Sequence, residues 1–170
     1  MNEVKLWLDS YDDIYSDFDS RHYLKRRISE DFLYELRNEL KITETEIKSI
    51  ILLLPQNKRN TASEKIIAKG LAEYFKTQYT FHEKKCKDKL RQGILLFIIG
   101  FAIMLLNSLF SFNYKESFLI IFLRILLEPA GWFLLWAAFD FLYYDFAKIK
   151  KVKNSFQLLS NVEIKFNASE

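Results

Sequence analysis

The sequence predicts a membrane protein in which a two-helix transmembrane hairpin interrupts a small cytosolic α+β domain. Two observations predict this class: two long apolar stretches at residues 92–112 and 117–144, and strand-like patterns both before and after them. The rest of the 170 residues is near the lower size limit of a domain. The single cysteine excludes an internal disulfide framework and fits a reducing compartment.

Residues 1–91 form the first cytosolic part. Residues 4–18 carry apolar side chains three and four apart, which predicts an amphipathic helix. Ser29, followed by acidic residues, predicts the start of a second helix. The aspartates of segment 9–19 suggest either a divalent cation site or a solvated helix face followed by turns. Because the glycine and the terminal glutamate of a calcium loop are missing, we expect no metal site there.

A strand is predicted at about residues 46–54, where a β-branched and apolar run ends at Pro55. A helix that begins at the Thr43-x-x-Glu46 capping box is the alternative. A second capping box, Thr61-x-x-Glu64, predicts a helix over about residues 62–80.

The first apolar stretch has the length of a transmembrane helix. Residues 93–112 are uncharged and would form a helix of about 30 Å, the thickness of the bilayer hydrocarbon. Basic residues precede this stretch and follow the second one, whereas the short external connection at 113–116 holds one lysine and one glutamate. The positive-inside rule therefore predicts a multi-pass protein of the inner membrane with both termini in the cytoplasm.

The second apolar stretch has two interpretations. It forms one tilted helix that is kinked near Pro129, or residues 117–127 lie at the interface and the span begins at Pro129. In both cases a ladder of polar and aromatic residues recurs every four positions: Arg124, Glu128, Trp132, Trp136, Asp140 and Tyr144. Each step turns by about 40° around the helix, so the ladder keeps one face only within a bundle.

Ionisable residues inside a bilayer usually have a function. Arg124 and Glu128 have the spacing of an ion pair within one helix, which would be a purely structural role. Asp140 has no basic residue three or four positions away and is therefore the better candidate for a pore residue. The candidate pore or gating residues are Asp140, Glu128, Arg124, Trp132, Trp136 and, on the first helix, Asn107 and Ser108.

Basic residues ahead of a predicted helix suggest a phosphate-binding site. Lys58 and Arg59 precede the amides of the helix that begins near Thr61, and such amides bind anions. The alternative is a solvated turn with basic residues. Further candidate phosphate ligands are Arg21, Lys25, Arg26 and Arg27.

Residues 145–170 are predicted to return to the cytosolic domain as a helix and a final strand. Residues 161–166 alternate apolar and polar side chains, and the natural partner is the strand at 46–54. The domain would then be assembled from both sides of the hairpin, and a movement in it would couple to both spans.

Enzyme signatures are absent from the sequence. There is no glycine-rich phosphate loop, no GxSxG elbow, no HExxH and no Cys/His set with metal spacing. We therefore expect neither catalysis nor a cofactor.

This layout resembles membrane effectors of bacterial anti-phage defence, and most of all the channel subunit of Hailong-type systems. The segments YDDIYSDFD and EPAGWFLLW are distinctive, but no known activity attaches to them and the resemblance does not rest on them. The resemblance covers the layout of the whole chain and carries over no individual residue. It implies an oligomeric ion channel that is controlled by a nucleic-acid oligomer from a partner nucleotidyltransferase, and whose opening depolarises the infected cell.

Two functions therefore stand as hypotheses. The first is an oligomeric channel, guessed as a tetramer, which is gated through its cytosolic domain by a nucleotide or a single-stranded oligonucleotide. The second is a non-conducting anchor or adaptor that binds a cytosolic partner or anionic lipid.

Overall fold

A computed structural model describes residues 3–19, 21, 26–42, 47–113 and 117–169 of the chain. The chain divides into two compact units. The sheet unit comprises Met1–Thr80 and Lys153–Glu170, and the hairpin unit comprises Phe81–Val152. Three sequence predictions fall outside the described residues: the capping box at 43–46, Lys25 and most of the connection at 113–116.

Three parallel strands form the sheet: β1 (Glu3–Trp7), β2 (Ser49–Pro55) and β3 (Glu163–Ser169), in the order β1-β2-β3. β2 lies in the centre, which explains its nearly continuous apolar run. The predicted pairing of the strand near 46–54 with the final strand is confirmed, since Ile50 lies opposite Ile164 and Leu52 opposite Phe166.

The helix predicted over residues 4–18 is wrong. The segment begins as β1 and continues into a short 3-10 helix, Tyr11–Ile14. In β1 the side chain of Val4 is buried while that of Lys5 is exposed, which is the alternation of a strand. β2 supplies the backbone partner that makes the extended conformation favourable, and this partner lies more than forty residues away along the chain.

Four helices complete the described part of the chain: α1 (Glu30–Ile42), α2 (Thr61–Asn113), α3 (Phe118–Asp140) and α4 (Phe146–Ser160). α1 is the predicted second helix, and its Ser29 hydroxyl accepts the backbone N–H of Phe32 at 3.5 Å. The helix predicted at 62–80 and the span predicted at 92–112 are one continuous helix, α2. The intervening residues contain neither glycine nor proline, so nothing in them breaks the helix.

The capping box predicted at Thr61 is replaced by a different cap. The side-chain oxygen of Asn60 accepts the N–H groups of Ala62 and Ser63 at 3.0 and 3.2 Å, so Asn60 caps α2. Glu64 is consequently free to face the protein interior, where it is 6% exposed.

The core of the sheet unit combines residues from before the first apolar stretch and after the second. The rings of Tyr74 on α2 and Phe156 on α4 meet edge to face with centroids 6.5 Å apart. The guanidinium of Arg37 on α1 lies 4.9 Å from the centroid of the Phe156 ring. The fully buried side chains are Val4, Ile14, Leu36, Ile50, Leu52, Leu54, Ile67, Leu71, Phe75, Phe156 and Leu159.

The hairpin unit presents apolar side chains outward. α3 is continuous through Pro129, and α2 and the segment Phe118–Ser160 are each long and apolar enough to cross a membrane. In the most apolar 18-residue stretch of each, only 17% and 6%, respectively, is buried within the chain. The core helix of a soluble protein would be mostly covered, so the exposure favours a bilayer as the surroundings of these helices.

Candidate pore and ligand-binding residues

Small residues seven positions apart let α2 and α3 approach each other closely. They are Gly93 and Gly100 on α2 and Gly131 and Ala138 on α3. A Cβ atom on Gly100 would lie only 3.1 Å from the backbone nitrogen of Leu135 and 3.2 Å from the carbonyl oxygen of Gly131. Ala138 is completely buried. Small residues at such positions are typical of helix contacts in membranes, so their seven-residue spacing is a signal in the sequence from which this contact was not predicted.

The same contacts define an antiparallel register for the two helices. A Cβ atom on Gly93 would meet the side chain of Leu142 at 2.8 Å, and one on Gly131 would meet the side chain of Met104 at 2.7 Å. From the first pair to the second, the residue number on α2 rises by 11, from 93 to 104, and the number on α3 falls by 11, from 142 to 131. The two helices therefore run antiparallel, and one step forward along one helix corresponds to one step backward along the other.

Continuing this register places three polar residues at neighbouring levels near the connection between the helices. Asn107 comes level with Glu128, and Arg124 lies one helical turn closer to the connection. Asn107 follows Gly100 by seven residues, and Arg124 precedes Gly131 by seven, so both continue the row of small residues. We call Asn107, Arg124 and Glu128 the polar cluster.

Two buried atoms of the polar cluster have no hydrogen-bond partner among the residues that the structure describes. They are the Nε of Arg124 and the Oδ1 of Asn107. Glu128 is exposed, and no salt bridge joins it to Arg124 in the described part of the chain. The ion pair that the spacing allows is therefore not formed, and the two opposite charges are both available to other groups.

The ladder on α3 winds around the helix instead of forming one face. Arg124 is partly buried at one end, whereas Glu128, Trp132, Trp136 and Asp140 are exposed. This is the outcome of the expected turn of about 40° at each step. The ladder residues therefore face several directions at once, and Ser108 on α2 is likewise exposed.

A π-helical segment, Phe141–Asp145, follows Asp140 directly. The ammonium of Lys89 on α2 lies 3.3 Å from a carboxylate oxygen of Asp145 and 4.3 Å from the centroid of the Phe141 ring. These contacts hold the lysine-rich end of the hairpin together. Single π-helical turns occur frequently at functional sites, and here the turn adjoins the exposed carboxylate of Asp140.

Asp19 organises the basic loop of the sheet unit. Its carboxylate accepts hydrogen bonds from Nε and Nη2 of Arg21 at 2.9 and 2.8 Å and from the backbone N–H of Arg27 at 2.8 Å. The hydrogen bonds from Arg21 are the main reason that the pKa of Asp19 lies well below its usual range. Arg26 donates to the carbonyl oxygen of Asp19 at 2.6 Å and pairs with Asp12.

An open depression of about 270 Å³ lies beside this loop. Its lining includes two predicted phosphate ligands and an aromatic residue, Phe18, which is 99% exposed. The lining residues are Ser16, Phe18, Asp19, Arg21 and Arg27. Arg27 is exposed at this surface, whereas the guanidinium of Arg21 is held by both carboxylate oxygens of Asp19. Guanidinium groups bind phosphate, and an exposed ring offers a stacking surface for a base.

Arg59 has a structural partner in place of an open phosphate site. Its guanidinium binds both carboxylate oxygens of Glu64, at 2.8 and 3.0 Å, and also donates to the carbonyl oxygen of Phe166 at 3.0 Å. Tyr11 donates its hydroxyl to Glu64 at 3.2 Å. The arginine lowers the pKa of Glu64, whereas burial raises the pKa of Tyr11.

These contacts leave little of the anion site that was predicted at Lys58 and Arg59. The amides of Ala62 and Ser63 are occupied by Asn60, and the ammonium of Lys58 donates to the carbonyl oxygen of Asp9 at 3.0 Å. From the other predicted group of phosphate ligands, Arg21 and Arg27 line the open depression.

Three carboxylates of the acidic segment 9–19, those of Asp12, Asp13 and Asp19, have partners within the protein. Asp13 accepts the backbone N–H groups of Asp9 and Ser10 at 2.6 and 3.0 Å, and Asp12 pairs with Arg26. Within the described ranges, no three His, Cys, Asp or Glu side chains are placed to hold a metal ion.

Comparison with protein-family models, curated proteins and solved structures finds no match for this chain. Its own structure defines its class: a protein with two helices long and apolar enough to cross a membrane, joined to a small three-stranded parallel sheet.

Proposed function

We propose that the chain is the subunit of an oligomeric ion channel in the inner membrane, with both termini in the cytoplasm. The observation that carries the proposal is the exposure of Glu128 and Asp140 on an otherwise apolar helix, where neither has a partner among the described residues. Each such charge costs about 2.5–3.5 kcal/mol when it faces the hydrocarbon centre, and a water-filled path removes much of that cost. Two spans cannot enclose a path, so several copies must do so, and we propose four.

The pore in this proposal is lined mainly by α3. Asp140 stands near its cytoplasmic end, and exposed carboxylates favour cations over anions. Glu128 lies deeper, and the exposed rings of Trp132 and Trp136 lie between the two acids along the helix. Asn107, Ser108 and Arg124 belong to the end of the hairpin near the connection.

The sheet unit is proposed to receive the gating signal. Arg21 and Arg27 supply charge for a phosphate, and Phe18 supplies a surface for a base, which together fit a nucleotide or a short single-stranded oligonucleotide. A partner nucleotidyltransferase would make this ligand, and channel opening would depolarise the cell during phage infection. The basis for this role is the resemblance of the predicted layout to anti-phage membrane effectors.

An anchor that does not conduct is the second candidate. Exposed lysines on α4 follow the apolar stretch, and anionic lipid headgroups attract such residues. In this role Asp140 would extend to the headgroups and no current would flow.

Planar-bilayer recording of the purified full chain distinguishes the two functions. Asp140→Asn should lower cation selectivity or conductance if Asp140 lines the pore. Asp88→Asn is the matched control, because Asp88 is an exposed acid on α2 outside the apolar stretch. If no current appears with any nucleotide or oligonucleotide and the detergent-solubilised protein is a monomer, the channel proposal fails.

Binding of short oligonucleotides tests the ligand site. Arg27→Gln should weaken binding and reduce the slope of log affinity against log salt by about one, since one phosphate contact is lost. Phe18→Ala should weaken binding with little change in that slope. Lys65→Gln removes an exposed charge from α2 and should leave binding unchanged. If Arg27→Gln and Lys65→Gln changed the affinity for the oligonucleotide equally, the ligand would bind elsewhere.

A further inference from the structure

We infer that Arg124 of each copy forms an ion pair with Glu128 of the neighbouring copy. The inference rests on the proposed oligomer and names the contact that holds it together. Its basis is the polar cluster, whose two opposite charges do not pair within the chain although four-residue spacing permits it.

The apolar environment makes a partner necessary. Arg124 buries its Nε without a hydrogen bond, and Glu128 is exposed at a level that the helix register places about 7 Å inside the end of the apolar run on α2. At the interface between copies, lipid tails offer neither a donor nor an acceptor to these groups, while the proposed pore supplies water only to the side of Glu128 that faces it. A second copy of the chain carries both, with the complementary charges.

The geometry of a membrane oligomer matches the two residues in depth. Copies that cross the bilayer in the same orientation place all their Arg124 side chains at one depth and all their Glu128 side chains about 6 Å away, one helical turn. Both side chains are long enough to close that distance across an interface.

The arrangement also closes into a ring. The four-residue step rotates Glu128 by about 40° from Arg124 around α3. The pairing joins Arg124 of one copy to Glu128 of the next, so it uses two different surfaces of the chain. Such a head-to-tail contact repeats identically around a closed ring.

Charge exchange between chains tests the pairing. Arg124→Glu alone and Glu128→Arg alone each bring like charges together at every interface, so each variant should lose the oligomer in detergent, as measured by native mass spectrometry. Co-expression of the two variants with different tags should restore mixed oligomers, because alternating chains again set opposite charges against each other. If Arg124 and Glu128 paired within one chain, each variant would carry two like charges in that pair, and mixing the variants would not restore it. Failure of the mixture to assemble would therefore overturn the inference.

Cross-linking gives a second measurement that is independent of charge reversal. In a Cys86→Ser background, chains with Arg124→Cys and chains with Glu128→Cys are co-expressed and treated with a short bifunctional maleimide. We expect a cross-linked heterodimer. The matched control combines Phe122→Cys with Leu126→Cys, which has the same spacing and a similar depth but lies on the opposite side of α3, where both residues are exposed. If the charge variants fail to insert into the membrane, a heterodimer yield equal to that of the control overturns the inference.

The outcomes separate this inference from the channel proposal. Restored mixed oligomers that pass no current would retain the ion pair and remove the channel. Ligand-dependent current from a protein whose mixed variants stay dissociated would retain the channel and remove the ion pair.

Discussion

Replacing Arg59 with methionine should destabilise the sheet unit. The substitution keeps an unbranched apolar stem but removes two charge-assisted hydrogen bonds to Glu64 and one hydrogen bond to the Phe166 carbonyl of β3. Removing one partner of a buried ion pair costs about 3–5 kcal/mol. Because the Arg59 side chain is 24% exposed, water weakens the pair, and we expect a loss of about 2–3 kcal/mol.

Hydrogen exchange of the β2 amides in the detergent-solubilised full chain measures this loss as a local free energy of opening. Lys58→Met is the matched control, since the neighbouring ammonium is exposed and makes one hydrogen bond to a backbone carbonyl. We expect the control to change the free energy by less than about 0.5 kcal/mol. The double variant Arg59→Met with Glu64→Leu should be less destabilised than Arg59→Met alone, because no unpaired buried carboxylate is left.

Two results would refute this reasoning. If Arg59→Met exchanged no faster than Lys58→Met, the ion pair would contribute nothing to the sheet unit. If the double variant lost the sum of the two single losses, Arg59 and Glu64 would act independently of each other.

Three further predictions concern acid stability and two glycines. The pKa of Glu64 is lower in the folded chain than its ordinary value of 4.5, so its stabilising contribution is complete above pH 4.5 and is lost as the pH falls through the lowered value. Glu64→Gln should therefore flatten the dependence of stability on acid pH, as measured by circular-dichroism unfolding. An unchanged loss of stability at acid pH in this variant would contradict the prediction. Gly70→Ala should stabilise α2 by up to about 1 kcal/mol, because the added methyl group meets no atom within 4 Å. Gly100→Ala should instead destabilise the hairpin unit by about 1–3 kcal/mol through contact with the backbone of α3, as measured by the Tm in detergent, and equal shifts for the two variants would contradict the close approach of the helices.

The final strand could be predicted because its alternation of apolar and polar residues required a sheet partner, and residues 46–54 were the best available run. β1 could not be predicted in the same way. Val4, Leu8 and Tyr11 are spaced by four and three residues, which fits an amphipathic helix, while Val4 and Leu8 also fit a strand. Only the distant β2 decides between the two periods, and a local pattern does not contain that information.

The candidate sites show the same difference between local and distant information. The exposure of Asp140 on an apolar helix followed from the sequence around it. The role of Arg59 did not, because its second acceptor, the carbonyl oxygen of Phe166, lies more than one hundred residues further along the chain. The close helix contact at Gly100 and Gly131 was readable in principle from the seven-residue spacing of small residues on each helix.

The position of β2 in the centre of the sheet has a consequence for how the protein is made. β1 can pair with β2 early, but β3 leaves the ribosome only after a further stretch of about 110 residues, roughly 5–20 s at ordinary rates of synthesis. During that interval both apolar helices emerge, and one edge of the most apolar strand has no neighbour. The nascent chain is therefore exposed to edge-to-edge aggregation until β3 has emerged and paired with β2.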